Sequence, residues 1–450
     1  MEGHKRTSSF YASPEEARRQ PPEELVYVAC LYQGTGIEEP DFIAVVDVNP
    51  ESDTYSQIVH RTPMPNVGDE LHHFGWNVCS SACHSDLTRD TLIVPGVLSS
   101  RIHVIDVSDP RRPEVARVVE AEEIKQKTGY SGPHTVHCMP GDIVTISMTG
   151  DVDGNLPGGF AVLDARDFSV VGRWDQEKNG QELMYDFWYS PRQNTLVSSE
   201  WAAPNTYLGG FNPEDVAAGR YGQSLNFWDL ERRAKVQTID LGGEGLIPLE
   251  IRWQHDPDSA QGFVGATLSS NIFRFSKNGE WTADKVIDVP NEELEGWPLE
   301  GGVPGLITDL VLTMDDRELF LSNWLHGDLR HYDVSDPSNP KLRSQTWLGG
   351  LLGRDGGHPR ADGPLNGGPQ MVQASLDGRR VYATNSLYST WDNQFYPDLR
   401  GWMVKLERQG DGSYALDPDF FVDFTKLDTG PARPHEIHLP GGDCTTEIFP

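Results

Sequence analysis

Histidines recur in this chain at a spacing that suits metal capture. The run Pro133-His134-Thr135-Val136-His137, with Pro140-Gly141-Asp142 just beyond, returns late in the chain as Pro434-His435-Glu436-Ile437-His438, with Pro440-Gly441-Gly442-Asp443 beyond it. In both, the alternation after the first histidine reads as a short strand closed by a Pro/Gly turn, so His134 and His435 take the same place in two copies of one repeat. A third group, Glu70-Leu71-His72-His73-Phe74-Gly75-Trp76, leads into another strand-like run. If the repeats surround an axis, equivalent positions converge on it and these imidazoles share one small space. A nitrogen-only donor set with an open position suits copper or zinc before calcium. Metal ligands are therefore expected among His72, His73, His134, His137 and His435. His137 ranks last of these, because three residues past His134 it alternates to the other side of its strand. The competing reading is that such histidines satisfy buried backbone groups between repeats. It holds best for His255 and His326, which have no echo elsewhere.

Positioning those side chains requires a repeat, and one is visible. The strand Phe42-Ile43-Ala44-Val45-Val46-Asp47 recurs at 102–107, 160–164, 225–230, 272–276, 329–334 and 402–407, which makes seven occurrences at uneven intervals. The copies share their neighbours: a strand-like run before, a β-prone run after and, upstream, a fourth run closed by a turn. Four antiparallel strands in each of seven units, with no helical segment of consequence, predict an all-β fold, a seven-bladed β-propeller. The first unit lacks its opening strand, while His435-Glu436-Ile437-His438-Leu439 is left over at the end. The C-terminal strand is thus expected to close the first blade and leave no open edge. The propeller takes residues 25–450 as one domain, behind a flexible leader at 1–24. Residues 201–221, 349–368 and 386–400 are too long for hairpin turns and are expected to roof one mouth of the channel, with 349–368 the most mobile. The residues that open the innermost strands should line that channel. Glu250 and Asp309 fall there and are the candidates for taking a proton from a bound substrate. Asp106, Asp164, Asp229 and Asp333 recur at strand ends and read as turn caps.

The totals agree with this picture. Forty-five Gly and 32 Pro in 450 residues suggest many short strands joined by turns. A formal charge of −31 argues against nucleic acid or an anionic membrane as partner, since both are held through Lys and Arg. No apolar run is long enough to span a bilayer, and the polar, charged N-terminus shows no apolar core of a secretory signal, so a cytoplasmic location is expected. Five cysteines are too few and too scattered for a disulfide framework. Cys79 and Cys83 form a C-x-x-x-C pair without a second pair to complete a zinc site, and a structural role is expected for them. The acidic runs 120–123 and 291–295 read as solvated loops.

At several of these stretches the chain resembles the selenium-binding protein family, whose bacterial members include methanethiol oxidases. The resemblance is carried by Asp69-Glu70-Leu71-His72-His73, Trp76-Asn77-Val78-Cys79-Ser80-Ser81, Tyr185-Asp186-Phe187-Trp188-Tyr189, Ser322-Asn323-Trp324-Leu325-His326-Gly327-Asp328 and Gln394-Phe395-Tyr396-Pro397-Asp398-Leu399, and runs from about Leu25 to the end. It implies a β-propeller and a copper-dependent oxidoreductase of sulfur metabolism. That enzyme would take methanethiol, dioxygen and water to formaldehyde, hydrogen sulfide and hydrogen peroxide, with copper ligands among the five histidines named above. Animal members carry a cysteine, proposed to bind selenium, in a Tyr-Cys-Gln-Val stretch. The matching run here is Tyr55-Ser56-Gln57-Ile58, so selenium has no thiol at that position. Two other readings compete. One is a non-catalytic propeller that binds copper or selenium or senses redox state. The other is a calcium-dependent lactonase, which should place Asp, Asn and Glu where imidazoles dominate here.

Overall fold

In the computed structural model, residues 10–82, 85–175, 183–297, 300–354 and 356–450 are described. They form seven four-stranded antiparallel sheets, the blades of a β-propeller. Six blades run in chain order from inner to outer strand. The remaining one takes Arg433–His438 as its innermost strand against Leu25–Leu31, Phe42–Asp47 and Ile58–Pro63. The C-terminal strand therefore closes the first blade, as expected from the unpaired final repeat.

Local sequence accounts for the layering within a blade. Middle strands such as Leu25–Leu31 and Phe42–Asp47 are buried on both faces and read as nearly unbroken apolar runs. Outer strands such as Ala234–Asp240 alternate between exposed and partly buried positions, with Val236, Thr238 and Asp240 turned to solvent. In all seven blades the pairing of third and fourth strands carries a register shift, at Val45/Val46, Val104/Ile105, Val162/Leu163, Phe227/Trp228, Ile272/Phe273, His331/Tyr332 and Val404/Leu406. Such bulges increase twist and bend the outer strand away from edge pairing. The strand-end aspartates are turn caps: Asp106, Asp164, Asp229 and Asp333 accept from Ser108 N, Arg166 N, Arg232 N and Ser335 N at 2.8, 2.7, 2.8 and 3.0 Å.

Several expectations need correction. The acidic run 120–123 is not a loop, because it leads into and opens the helix Ala121–Thr128, which ends at Gly129 in the left-handed region. Within the leader, Pro14–Arg18 is a short helix and Tyr11 is buried, its N–H on Ser80 Oγ at 3.0 Å and its hydroxyl on Gly441 O at 2.7 Å. In the roof segment 349–368, Gly350 N bonds Gly367 O (2.8 Å) and Leu351 N bonds Leu325 O (2.8 Å). Among the described residues no helix is long and apolar enough to cross a membrane.

A disulfide joins Cys79 to Cys138, with Cα atoms 6.2 Å apart, while Cys30 and Cys444 are buried free thiols. Cys83 lies outside the described residues. The bond ties the segment after His73 to the strand that carries His134, a pairing between adjacent blades that the spacing of Cys79 could not announce. With 59 residues of separation, its removal by Cys138→Ser should cost about 4 kcal/mol of stability on the chain-entropy estimate. Urea denaturation with and without reductant checks this, and the variant should lose all sensitivity to reductant.

Candidate metal centre

One repeated hydrogen-bond device sets the innermost strands in register. Ser147 Oγ accepts from Thr135 N (3.0 Å) and donates to Tyr185 O in the next blade (2.6 Å). Ser199 does the same between Asp186 N (3.1 Å) and Leu249 O (2.6 Å), and Ser322 between Asp309 N (3.1 Å) and Gln370 O (2.6 Å). Thr384 donates to His435 O. His134, Tyr185, Leu249, Thr308, Gln370 and His435 are thereby equivalent, one from each of six blades. The seventh contributes His72 and His73, whose segment is pinned from both sides. The Glu70 carboxylate, on a residue with φ of 52°, accepts from Ser389 N (2.6 Å) in the roof, and the Glu436 carboxylate accepts from Phe74 N. Gly75 allows this segment to press on the next blade, for a Cβ there would come within 2.6 Å of Val136 O.

Convergence on the axis brings four imidazoles together. Their ring centroids are 5.1 Å apart for His72 and His73, 4.2 Å for His73 and His134, 4.9 Å for His72 and His134, and 3.9 Å for His72 stacked on His435. One ligand nitrogen from each of His72, His73 and His134 lies within 4.8 Å of the others. All four rings are buried. His72 Nδ1 and the Nε2 atoms of His73, His134 and His435 have no hydrogen-bond partner, which is costly for neutral polar atoms away from water. Burial, reinforced by their mutual proximity, holds His72, His73 and His134 well below the usual imidazole range; burial brings His435 to about 4. The rings are thus neutral, with lone pairs available. His435 Nδ1 lies 2.7 Å from Ser386 O, an acceptor only, so that nitrogen carries the proton and Nε2 presents the lone pair. Unpartnered, neutral, convergent imidazoles fit a borderline or soft transition ion.

A charged layer lies beneath. Arg252 donates to Glu250 Oε2 (3.1 Å) and Asp309 Oδ1 (3.0 Å) and stands 3.5 Å from Asp186 Oδ2. Three buried carboxylates around one guanidinium leave excess negative charge, and burial pushes all three upward, Glu250 furthest. Glu250 Oε1 is 3.3 Å from His73 Nε2, within reach of a group bound at the imidazoles. Asp309, paired with Glu250 as a proton acceptor in the expectation above, is otherwise engaged. Its Oδ1 also accepts from Leu310 N (2.7 Å) and its Oδ2 from Val372 N in the next blade (2.7 Å), so it braces blades and holds Arg252. Asp186 performs the same bracing toward Ile251 N at 2.6 Å.

Both ends of the channel are shut. On the roof side, Trp201 stacks on Tyr207 at 3.9 Å, and Tyr388 and Trp391 from the 386–400 excursion complete an aromatic cover with Tyr185 and Leu249. Between cover and imidazoles is a cavity of about 20 Å³ lined by His72, Tyr185, Trp201, Leu249, Thr308 and Tyr388 among others, room for about one water-sized molecule. On the floor side the C-terminal tail crosses the axis: Thr445 Oγ1 accepts from Gln373 Nε2 at 2.7 Å, Glu447 pairs with Arg89, and Ile448 and Phe449 are buried.

Of the five histidines expected as ligands, the structure brings His72, His73, His134 and His435 together and sets His137 apart. His137 lies one layer down, its ring edge-on to Phe187 and Trp188 at 5.2 and 5.0 Å, because three residues of strand carry it about 10 Å further along, where it lines a floor-side space with Glu250, Arg252 and His438. His255 and His326 are structural, bonded to Leu312 O (3.3 Å) and Val303 O (2.9 Å). Ser56 bridges to the neighbouring blade through Phe421 N and O, both at 2.8 Å. Sequence reasoning missed Arg252, Glu436, Tyr388 and the tail. Arg252 sits two residues after Glu250 in an apolar strand, and a charge in such a run was the signal to follow.

Residues 4–450 match the 56 kDa selenium binding protein family (SBP56). A methanethiol oxidase of Xenopus laevis is 51% identical over 98% of this chain and 98% of its own length, and a methanethiol oxidase of Homo sapiens is 50% identical over the same shares. The crystal structure of a hypothetical selenium-binding protein from Sulfolobus tokodaii superposes with a TM-score of 0.93 at 47% identity, covering 98% of this chain and 99% of that one.

Proposed function

The chain belongs to the 56 kDa selenium binding protein family, and from that membership and the imidazole cluster we propose that it is a copper-dependent methanethiol oxidase. The reaction is methanethiol, dioxygen and water to formaldehyde, hydrogen sulfide and hydrogen peroxide. The observation that carries the reading is the group of four buried histidines whose convergent nitrogens lack partners. His72, His73, His134 and His435 hold the ion. Copper, when bound there, supplies a soft site for sulfur and an electron path to dioxygen.

The remaining chemistry belongs to the chain. The aromatic cover excludes bulk water, and a cavity beside His72 with room for only about one water-sized molecule favours the smallest thiols over cysteine or glutathione. Glu250, next to His73 and raised by burial, is the group placed to exchange a proton with substrate or oxygen at Oε1. We include a cytoplasmic location in the proposal. The free thiols of Cys30 and Cys444 favour it and the Cys79–Cys138 bond opposes it.

Purified protein loaded with copper should consume methanethiol and oxygen in equal amounts and release equimolar sulfide and peroxide, and should turn over ethanethiol or larger thiols at least about tenfold less well. Copper binding without release of sulfide would instead favour the sensor reading.

A further inference from the structure

We infer that Leu249 is the residue that sets the size limit on the thiol, as the wall of the seat for the substrate's methyl group across the channel from the imidazoles. The inference rests on the oxidase reading proposed above and deepens it.

Four innermost strands carry the same irregularity. Their pairing with the second strand of the blade slips between Pro133 and Val136, between Pro248 and Ile251, between Ile307 and Asp309, and between Pro434 and Ile437. In each case the innermost strand holds one residue more than its partner, and the surplus falls at His134-Thr135, Leu249-Glu250, Thr308 and His435-Glu436. A bulge re-aims the side chain it carries, and bulges gather beside active sites. Leu249 therefore stands where two other blades place an imidazole of the cluster.

Its chemistry differs from that of its equivalents. His134, Tyr185, Thr308, Gln370 and His435 all bring polar atoms to the axis, whereas Leu249 brings none. The imidazoles come from three consecutive blades, and the two blades across the ring contribute Leu249 and Thr308. The cavity of about 20 Å³ lies between these sides, since His72, Leu249 and Thr308 all line it. Ile247 and Leu306, both held in the left-handed region with φ of 58° and 54°, add apolar surface to it.

Room for about one water-sized group is room for a methyl group and not for an ethyl chain. The space on the floor side of the imidazoles is lined by Asp186, Glu250, Arg252 and Glu436, and an apolar group there would take water from charges and return no hydrogen bond. With sulfur at the imidazole nitrogens, the methyl group accordingly enters the roof-side cavity and meets Leu249. That wall is fixed. Leu249 O accepts from Ser199 Oγ at 2.6 Å, Ile251 N donates to Asp186 Oδ2 at 2.6 Å, and the Leu249 side chain is buried in the aromatic cluster of the roof.

Leu249→Ala tests the assignment. The wild type should prefer methanethiol to ethanethiol by at least about tenfold in kcat/KM, the worth of a methylene in an apolar pocket. Leu249→Ala should cut that preference by at least about tenfold, with copper content unchanged because Leu249 offers no ligand atom. A merely structural role would lower activity toward both thiols and leave their ratio where it was. In the absence of dioxygen, calorimetric dissociation constants of the copper(I)-loaded protein for the two thiols should shift in the same direction, which reads the pocket without turnover. Leu249→Val, a smaller truncation, should move the ratio the same way by at least about threefold and serves if the alanine variant does not fold. A ratio within about twofold of wild type in either measurement, for a folded and copper-loaded variant, overturns the inference and leaves the oxidase reading standing. A copper-loaded wild type that oxidises no methanethiol overturns that reading, and this inference with it.

Discussion

His134→Ala protein should fold and lose its metal. The imidazole that disappears stands in van der Waals range of His73 and Tyr185, with ring centroids 4.2 and 3.9 Å away, and its Nε2 has no other partner. Deleting a ligand outright should weaken copper binding by more than the about 10–100-fold expected for loss of a group behind a ligand, and oxidase activity should fall with metal content. Stability of the metal-free form should change little beyond the cost of a cavity, since the variant also removes one of four crowded, unsatisfied rings. His255→Ala is the matching control. It frees Leu312 O from its 3.3 Å contact and should cost about 1–3 kcal/mol while leaving copper binding intact. Metal content of both variants, with their melting curves, separates ligand from structural histidine. Full copper retention in His134→Ala would remove the centre proposed here.

Arg252→Met should be the most destabilising single change in the charged layer. It leaves Glu250, Asp186 and Asp309 buried without their counter-charge, a loss of about 3–5 kcal/mol. The deficit must depend on pH, and its sign follows from linkage. Carboxylates whose folded pKa is raised above the unfolded value destabilise the fold above the unfolded pKa, increasingly until the folded one is passed. Without Arg252 those folded values rise further, so the deficit should be largest at neutral and alkaline pH and shrink as pH falls toward the unfolded carboxylate range near about 4. Denaturant unfolding at pH 5 and pH 8 measures this. A deficit independent of pH would mean that Arg252 acts by packing, against Trp188 at 5.9 Å for example, rather than by charge.

Much of the architecture was legible because it is written in short-range patterns. The strand that ends in Asp47 has copies ending in Asp106, Asp164, Asp229 and Asp333, and each such aspartate caps the turn that follows it. A repeat with a missing first strand and a spare last one announces ring closure. The candidate histidines were legible for the same reason, since His134 and His435 open equivalent strands.

What the sequence determined by itself was therefore the repeat, the blade count, the closure and the residue types that reach the axis. Only the tertiary structure decided which of those residues share a space. His137 drops a layer below His134; Asp309 is consumed by Arg252 and by an amide of the next blade; Glu436 reaches across to Phe74; and Cys79 finds Cys138. The physical reason is that a strand's alternation fixes the face a side chain points to. Its height along the axis and its neighbours across a blade boundary depend on how seven sheets, each twisted and bulged, settle against one another. Those contacts join residues up to several hundred positions apart, and no local pattern encodes them.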